Sequence, residues 1–237
     1  MCSVSWHHQK DGYEVFFNRD EKKTRGRAVP PSPGEIEGVR YLSPKDADAG
    51  GTWLLANEHG VTLALLNYWG TVSKEANPAL SRGSLLSQHL ANQTSASSAI
   101  KHLRHISLTG YGNFTLAAFD LATSSAGPQV VRWNGEGLTS LQPEMPLCSS
   151  SFLPDAVIES RRRYFQTLPD QNPETLWDWH SREDAPTAYT VRMHRPDAQT
   201  WSISRVSVNR ETVHWRYIEE MPGLTASPVE HQAFLTR

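Results

Sequence analysis

The chain opens on a strict two-residue alternation. Cys2, Val4 and Trp6 alternate with Ser3, Ser5 and His7, and after Gln9-Lys10-Asp11-Gly12 the residues Tyr13, Val15 and Phe17 alternate with Glu14, Phe16 and Asn18. That period belongs to strands, and the turn composition between the two runs predicts an antiparallel hairpin. Closing it symmetrically about Lys10 sets Cys2 opposite Asn18, to within a residue or two. Asn18-Arg19-Asp20-Glu21 then lies beside the chain start.

From Glu21 to Gly51 the pattern breaks into charged, Pro- and Gly-rich sequence, including Val29-Pro30-Pro31-Ser32-Pro33-Gly34. This reads as a long surface loop, of a length often found in lids. A second hairpin follows, with Thr52–Ala56, a turn at Asn57-Glu58-His59-Gly60, and Val61–Tyr68. Val61 to Leu66 is apolar on both faces, as suits a central strand covered on both sides. Helical spacing then takes over. Leu86 and Leu90 share one face; Ala96, Ile100, Leu103 and Ser107 form a second stripe, with Thr94 or Ser95 as its cap. Strands are predicted at Asn113–Asp120 and Gln129–Trp133. A helix is predicted from Pro154, with Val157, Tyr164 and Leu168 on its apolar stripe, and another from Asn172-Pro173-Glu174. Ala188–His194, Thr200–Val208 and Thr212–Ile218 read as closing strands, with a bulge near Arg205 where the apolar parity switches.

Strands, a helix pair, strands, a helix pair and strands again make an α+β chain. Hairpin-linked strands imply antiparallel sheets whose open faces need helices, so two stacked sheets with helices outside satisfy the order. With no internal repeat or linker, residues 1–220 read as one domain and residues 221–237 as a peripheral tail.

Composition narrows the function classes. Of 237 residues, 38% are apolar and 20% charged, and the net charge is −2 with signs interspersed, so nothing points to a nucleic-acid partner. Arg161-Arg162-Arg163 reads as a solvated helix face. No apolar run is long enough for a membrane span. The start, Met-Cys-Ser-Val-Ser-Trp-His-His, lacks the features of a signal peptide, so a cytoplasmic location is expected. Two cysteines in that compartment do not suggest a disulfide. His102 and His105 lack a third ligand and read as surface residues, so neither a metal nor a cofactor is expected.

The chemistry centres on Cys2. A small second residue permits removal of Met1, which leaves a free α-amine beside the Cys2 thiol. Such an amine has a pKa of about 7.7–8.0 and can take the thiol proton, so one residue holds both base and nucleophile. The bland alternative is a small residue in a strand near a chain end. Asp20 is the candidate to hold the amine, and Arg19 to favour the thiolate. Asn67, at the end of the second hairpin, is the candidate oxyanion donor, an effect worth about 2.7–4 kcal/mol.

Asn18-Arg19-Asp20-Glu21 after an N-terminal Met-Cys strand resembles the signature of the NRDE family, the transport and Golgi organisation protein 2-like proteins. The likeness continues through Gly50-Gly51-Thr52-Trp53-Leu54, Ala64-Leu65-Leu66-Asn67-Tyr68, Ser81-Arg82-Gly83, Tyr111-Gly112-Asn113-Phe114 and Met193-His194-Arg195. The resemblance implies a four-layer αββα sandwich of the N-terminal-nucleophile hydrolase superfamily. It also implies that Cys2, Arg19, Asp20 and Asn67 correspond to functional positions of the choloylglycine-hydrolase branch. The chain departs from that branch in having Arg and Asp adjacent. Its Tyr-Gly-Asn-Phe order weakens Asn113 as a second oxyanion donor, and no residue matches the branch's later catalytic Arg.

Two functions follow. One is a cysteine hydrolase or acyltransferase acting on a non-peptide amide or thioester of a small-molecule substrate. The other is a non-catalytic carrier of haem, acyl-CoA or lipid on the same fold, for which His180, His194 and the eight tryptophans are the available residues. A serine hydrolase is disfavoured because no Gly-x-Ser-x-Gly elbow occurs.

Overall fold

The computed structural model describes residues 2–69, 79–124, 127–182, 185–219 and 228–237. Its strands run, in chain order, β1 (Cys2–Gln9), β2 (Gly12–Lys22), β3 (Val29–Ile36), β4 (Val39–Lys45), β5 (Leu54–Asn57) and β6 (Thr62–Asn67). Helix α1 (Arg82–Ser84) runs on into a wider, π-helical stretch over Leu85–Leu90, and α2 (Ala96–Leu103) follows. Next come β7 (Phe114–Phe119), β8 (Gln129–Trp133), β9 (Leu138–Leu141) and β10 (Leu147–Ser149), then α3 (Pro154–Gln166) and α4 (Pro173–Ser181). The chain closes with β11 (Ala198–Asn209), β12 (Thr212–Glu219) and β13 (Val229–Thr236).

The strands form two antiparallel sheets, ordered β10-β1-β2-β11-β12-β13 and β3-β4-β5-β6-β7-β8-β9. Their inner faces meet in one core that includes Val4, Trp6, Val15 and Phe17 from the first sheet and Leu54, Ala64, Leu66 and Phe119 from the second. A second core joins the outer face of the seven-stranded sheet to Leu86, Leu90, Ala99 and Leu103 of the first helix pair. A third joins Phe16 and Ile203 to Phe165, Leu176, Trp177 and Trp179 of α3 and α4. The layers are therefore helix, sheet, sheet, helix, as the pattern of elements predicts.

Local signals worked where they were self-contained. Ser95 caps α2 in a reciprocal pair with Ser98. Asn172 caps α4 through the backbone N–H groups of Glu174 and Thr175. Val61–Leu66 does lie in the middle of its sheet, buried on both sides.

Other expectations are corrected. The segment Glu21–Gly51 is not one loop: it contains the β3–β4 hairpin, closed by Glu37 and Gly38 at φ 51° and 79°. Its prolines misled because β3 is an edge strand, where missing N–H groups do no harm. Ala188–His194 is not a strand, apart from an isolated bridge between His194 and Gln199. The bulge falls between Thr200 and Ser202 rather than near Arg205. The parity switch there arises because β11 is buried on both faces: Ile203 points to the third core, and Val206 and Val208 to the first. Part of the expected tail, Val229–Thr236, is an edge strand paired with β12, while residues 220–227 lie outside the described residues. Among the described residues no helix is long and apolar enough to cross a membrane.

The helix-facing side of the first sheet is fastened by a buried polar knot. Asn18 donates through Nδ2 to the carbonyls of His180 and Val191, at 2.9 and 3.1 Å. Its Oδ1 must then accept from His180 Nδ1 at 2.7 Å, which leaves Nε2 to accept from the Ser5 hydroxyl at 2.8 Å. Burial pushes the His180 pKa down to about 3, reinforced by nearby Arg161, so the ring is neutral in the folded state. The unfolded ring, with an ordinary value of 6.5, takes up a proton that the folded ring refuses. The stabilisation is therefore complete above pH 6.5 and is lost as pH falls toward 3, at up to about 1.4 kcal/mol per pH unit. Denaturant unfolding across this range should show the slope, and His180→Gln should flatten it.

Candidate active site

The β1–β2 hairpin turns on two residues, with Gln9 paired to Gly12 and Cys2 paired to Arg19. The symmetrical closure about Lys10 is thus off by one residue, and the difference matters because side chains alternate faces. Cys2 and Arg19 share the inter-sheet face. Asn18 and Asp20 turn to the helices instead, as does Ser3.

Cys2 is buried at the head of β1, within the core between the sheets. Burial raises its thiol to about 11; the chain-terminal ammonium and Arg19 pull the value down, and the Asp20 and Glu21 carboxylates add to the rise. Met1 itself lies outside the described residues. Ser149 pairs with Cys2 from the other side, and its buried hydroxyl has no hydrogen-bond partner among the described residues.

Arg19 is held from two directions. Its guanidinium lies over the Trp53 ring at 4.3 Å and meets Asp46 Oδ2 at 2.7 Å. Asp46 also takes Arg25 at 2.6 Å and accepts from the backbone N–H groups of Asp48 and Ala49. These contacts hold the Asp46 carboxyl below its usual range despite its burial. Asp46 was invisible as a site residue in the sequence, where only the Asp-Ala-Asp-Ala-Gly-Gly run marks it.

Asp20 is fully buried on the other face. Arg161 Nη2 donates to its Oδ2 at 3.0 Å and the Thr200 hydroxyl to its Oδ1 at 2.7 Å. Arg161 also donates to the Ser3 hydroxyl at 2.8 Å. The expectation of a solvated arginine run therefore fails at its first member: Arg161 is 1% exposed, inside the sandwich of sheet and helix. Cys148 lies on this face as well, 3.5 Å from Ser3 Oγ, so the two free cysteines occupy opposite sides of the sheet.

Asn67 ends β6, but Leu66 takes the inward position and Asn67 pairs with Phe114, whose ring packs in the helix-side core. Alternation therefore gives Asn67 the face away from Cys2. Arg82, which was not among the candidates, lies within electrostatic range of Cys2. The backbones of Gly51 and Gly83 touch so closely that a Cβ on Gly83 would lie 2.5 Å from Thr52 N. This contact seats Arg82 beside the segment that leads into β5, and its Nη1 donates to the Asn113 carbonyl at 3.1 Å. Burial lowers the Arg82 pKa, against the opposing pull of Cys2 and Glu21. Two glycine-bearing motifs, far apart in sequence, are thus one packing contact.

A cavity of about 390 Å³ lies elsewhere, between α3, α4 and residues 187–192. It is on the helix side of the first sheet, away from the Cys2 thiol, and its lining offers no activated nucleophile.

Two antiparallel sheets stacked between helix layers make the αββα sandwich of the N-terminal-nucleophile hydrolase fold, and solved structures share it. The chain is similar to the C2A mutant of a conjugated bile acid hydrolase from Clostridium perfringens, with TM-score 0.54 and 13% identity, covering 100% of this chain and 96% of that one. A second variant of that hydrolase matches at TM-score 0.56 and 12% identity over the same shares. An N-acylethanolamine-hydrolyzing acid amidase orthologue from Caenorhabditis elegans matches at 0.56 and 10%, covering 86% and 92%. The family model described as Transport and Golgi organisation 2 matches residues 1–212, and the chain belongs to that family. No curated protein matches it significantly.

The buried pair gives a direct test. Removing one partner of such a pair typically costs about 3–5 kcal/mol, because the other charge loses its counter-ion without regaining water. Arg161→Ala should destabilise the protein by that amount in denaturant unfolding, and combining it with Asp20→Asn should recover part of the loss. A cost below about 1 kcal/mol would mean that the pair does not hold the chain start in place.

Proposed function

We propose that the protein is an N-terminal cysteine hydrolase or acyltransferase acting on a non-peptide amide or thioester, with Cys2 as nucleophile once Met1 is removed. The observation that carries this reading is the position of Cys2, at the head of β1, in the inter-sheet core, with Arg19 in register beside it. The neighbours named as a bile acid hydrolase and an acid amidase support the reaction class.

The register also supports a role for Asp20. Asp20 directly follows Arg19, the partner of Cys2, and Arg161 and Thr200 hold its carboxylate still. In the proposed site this carboxylate holds the α-amine that removal of Met1 leaves on Cys2. In the proposed cycle the amine takes the thiol proton and the thiolate attacks the acyl carbon. The C–S bond forms as the C–N or C–S bond to the leaving group breaks, and the ammonium returns the proton to that group. Water, deprotonated by the same amine, then cleaves the acyl-enzyme; a different acceptor in its place makes the reaction a transfer.

Retention of Met1 removes the base and leaves a buried thiol near pKa 11. The thiolate fraction at pH 7.5 is then roughly one part in 3,000. Protein with Met1 retained should alkylate at Cys2 much more slowly than processed protein, as intact mass over time would show. In processed protein, Cys2→Ser should abolish turnover while keeping ligand affinity, because the thiolate matters to the attack and little to ground-state binding. Full function in Cys2→Ser would instead favour the carrier reading for acyl-CoA, lipid or haem. For haem, His180 has both ring nitrogens engaged in the core, and exposed His194 contacts Lys23.

Asn67→Ala separates the two views of that residue. An oxyanion donor would cost about 10²–10³ in rate at unchanged affinity. From its helix-facing position the expected loss is under about tenfold, measured as kcat against KM.

A further inference from the structure

The arginines around Cys2 differ in what balances them. Arg19 is neutralised by Asp46, which it shares with Arg25. Arg82 and Arg132 are half-buried, and among the described residues neither has a carboxylate at ion-pair distance. Each is fixed by uncharged partners instead. Arg82 Nη1 donates to the Asn113 carbonyl, which also accepts from Tyr68 N at 3.0 Å. Arg132 Nε donates to the Thr115 hydroxyl at 3.2 Å, and its guanidinium lies 4.2 Å from the centre of the Tyr68 ring. The two cations thus meet Tyr68 from two sides where β6 and β8 end and β7 begins, and among the described residues each uses one of its five N–H donors in a hydrogen bond.

Their position ties them to the nucleophile. Gly83 packs on Gly51 and Thr52, and the adjoining Trp53 ring carries Arg19, the register partner of Cys2. On β8, Arg132 pairs with Thr115 of β7, and both alternate with residues of the helix-side core, so they face inward like Cys2. A half-buried guanidinium pays for its lost water only when an anion returns the interaction, and Arg forks match carboxylate and phosphate oxygens.

We propose that Arg82 and Arg132 form an anion subsite, so that the acyl compound attacked by Cys2 carries an oxyanionic group, a carboxylate or a phosphate. This rests on Cys2 being the nucleophile. Arg82, which is within electrostatic range of Cys2, fixes the anion relative to the acyl carbon; Arg132 closes the subsite behind Tyr68. Burial lowers the affinity of Arg82 for its proton, against the opposing pull of Cys2 and Glu21, which agrees with a desolvated cation that an anion would stabilise.

The test compares two alkylating agents on processed full-length protein. Iodoacetate and iodoacetamide both form a C–S bond at Cys2 with loss of iodide, but only the first carries an anion. The wild-type rate ratio, iodoacetate over iodoacetamide, should exceed that of free cysteine. Arg82→Gln should lower the ratio about tenfold, the loss of one charge-assisted contact, and Arg132→Gln should lower it several-fold. A change in thiol pKa slows both reagents alike and leaves the ratio untouched. Acetate and inorganic phosphate, added as competitors, identify the preferred oxyanion by which one protects Cys2 at the lower concentration. A wild-type ratio equal to that of free cysteine, or one unmoved by either substitution while both reagents still label Cys2, overturns the subsite alone. No labelling of Cys2 by either reagent overturns the nucleophile reading and the subsite with it. Should Arg82→Gln not fold, the wild-type ratio and Arg132→Gln decide.

Discussion

The register of the β1–β2 hairpin is the constraint on which the rest depends. A two-residue connection pairs Gln9 with Gly12 and so Cys2 with Arg19. Because the side-chain period is two, a slip of one residue would put the thiol and the Asp20 carboxylate on the same face of the sheet instead of on opposite faces. Packing enforces the observed choice from both faces at once. Val4, Trp6, Val15 and Phe17 fill the core between the sheets, while Phe16 joins the helix-side core. Asn18 and Ser5 complete the bonds of His180 on that same side. The hairpin is thus held on both faces, and Cys2 and Arg19 are held with it.

Buried polar groups are costly unless each finds a partner, and the first sheet sorts its charges accordingly. On the helix side, Asp20 meets Arg161 and Thr200, and Arg161 also serves Ser3. On the inner side, Arg19 is stacked on Trp53 and locked to Asp46. Near Cys2 the sorting is incomplete: Ser149 Oγ has no partner among the described residues, and Arg82 has only a carbonyl. Groups left incomplete beside a nucleophile are where a ligand can gain most, since no internal bond must be broken to receive it.

The seven-stranded sheet contributes by close approach rather than by charge pairing. Gly51 and Gly83 let the α1 segment lie directly on the backbone leading into β5, a contact that no residue with a Cβ would allow without movement. That explains physically why glycines stand in two of the motifs by which the family is recognised. They bring Arg82, an otherwise ordinary surface-type residue, to the edge of the inter-sheet core.

The sequence by itself determined the alternating strands of the first hairpin, the two-faced burial of Val61–Leu66, a cap for α2 at Thr94 or Ser95, the cap at Asn172, and the αββα order of elements. Each rests on a local period or a contact within a few residues. It also marked Cys2, Arg19 and Asp20 as a group, because the hairpin brings them together within twenty positions. Only the tertiary structure decided which face each one takes, since that depends on a single residue of register. It alone supplied their partners, Asp46 at 27 residues from Arg19 and Arg161 at 141 from Asp20. It turned Asn67 toward the helices, drew Arg161 out of an apparent surface run, and made a strand of a proline-rich stretch. Long-range pairing fixes these outcomes, and pairing across such separations leaves no periodic trace in the chain.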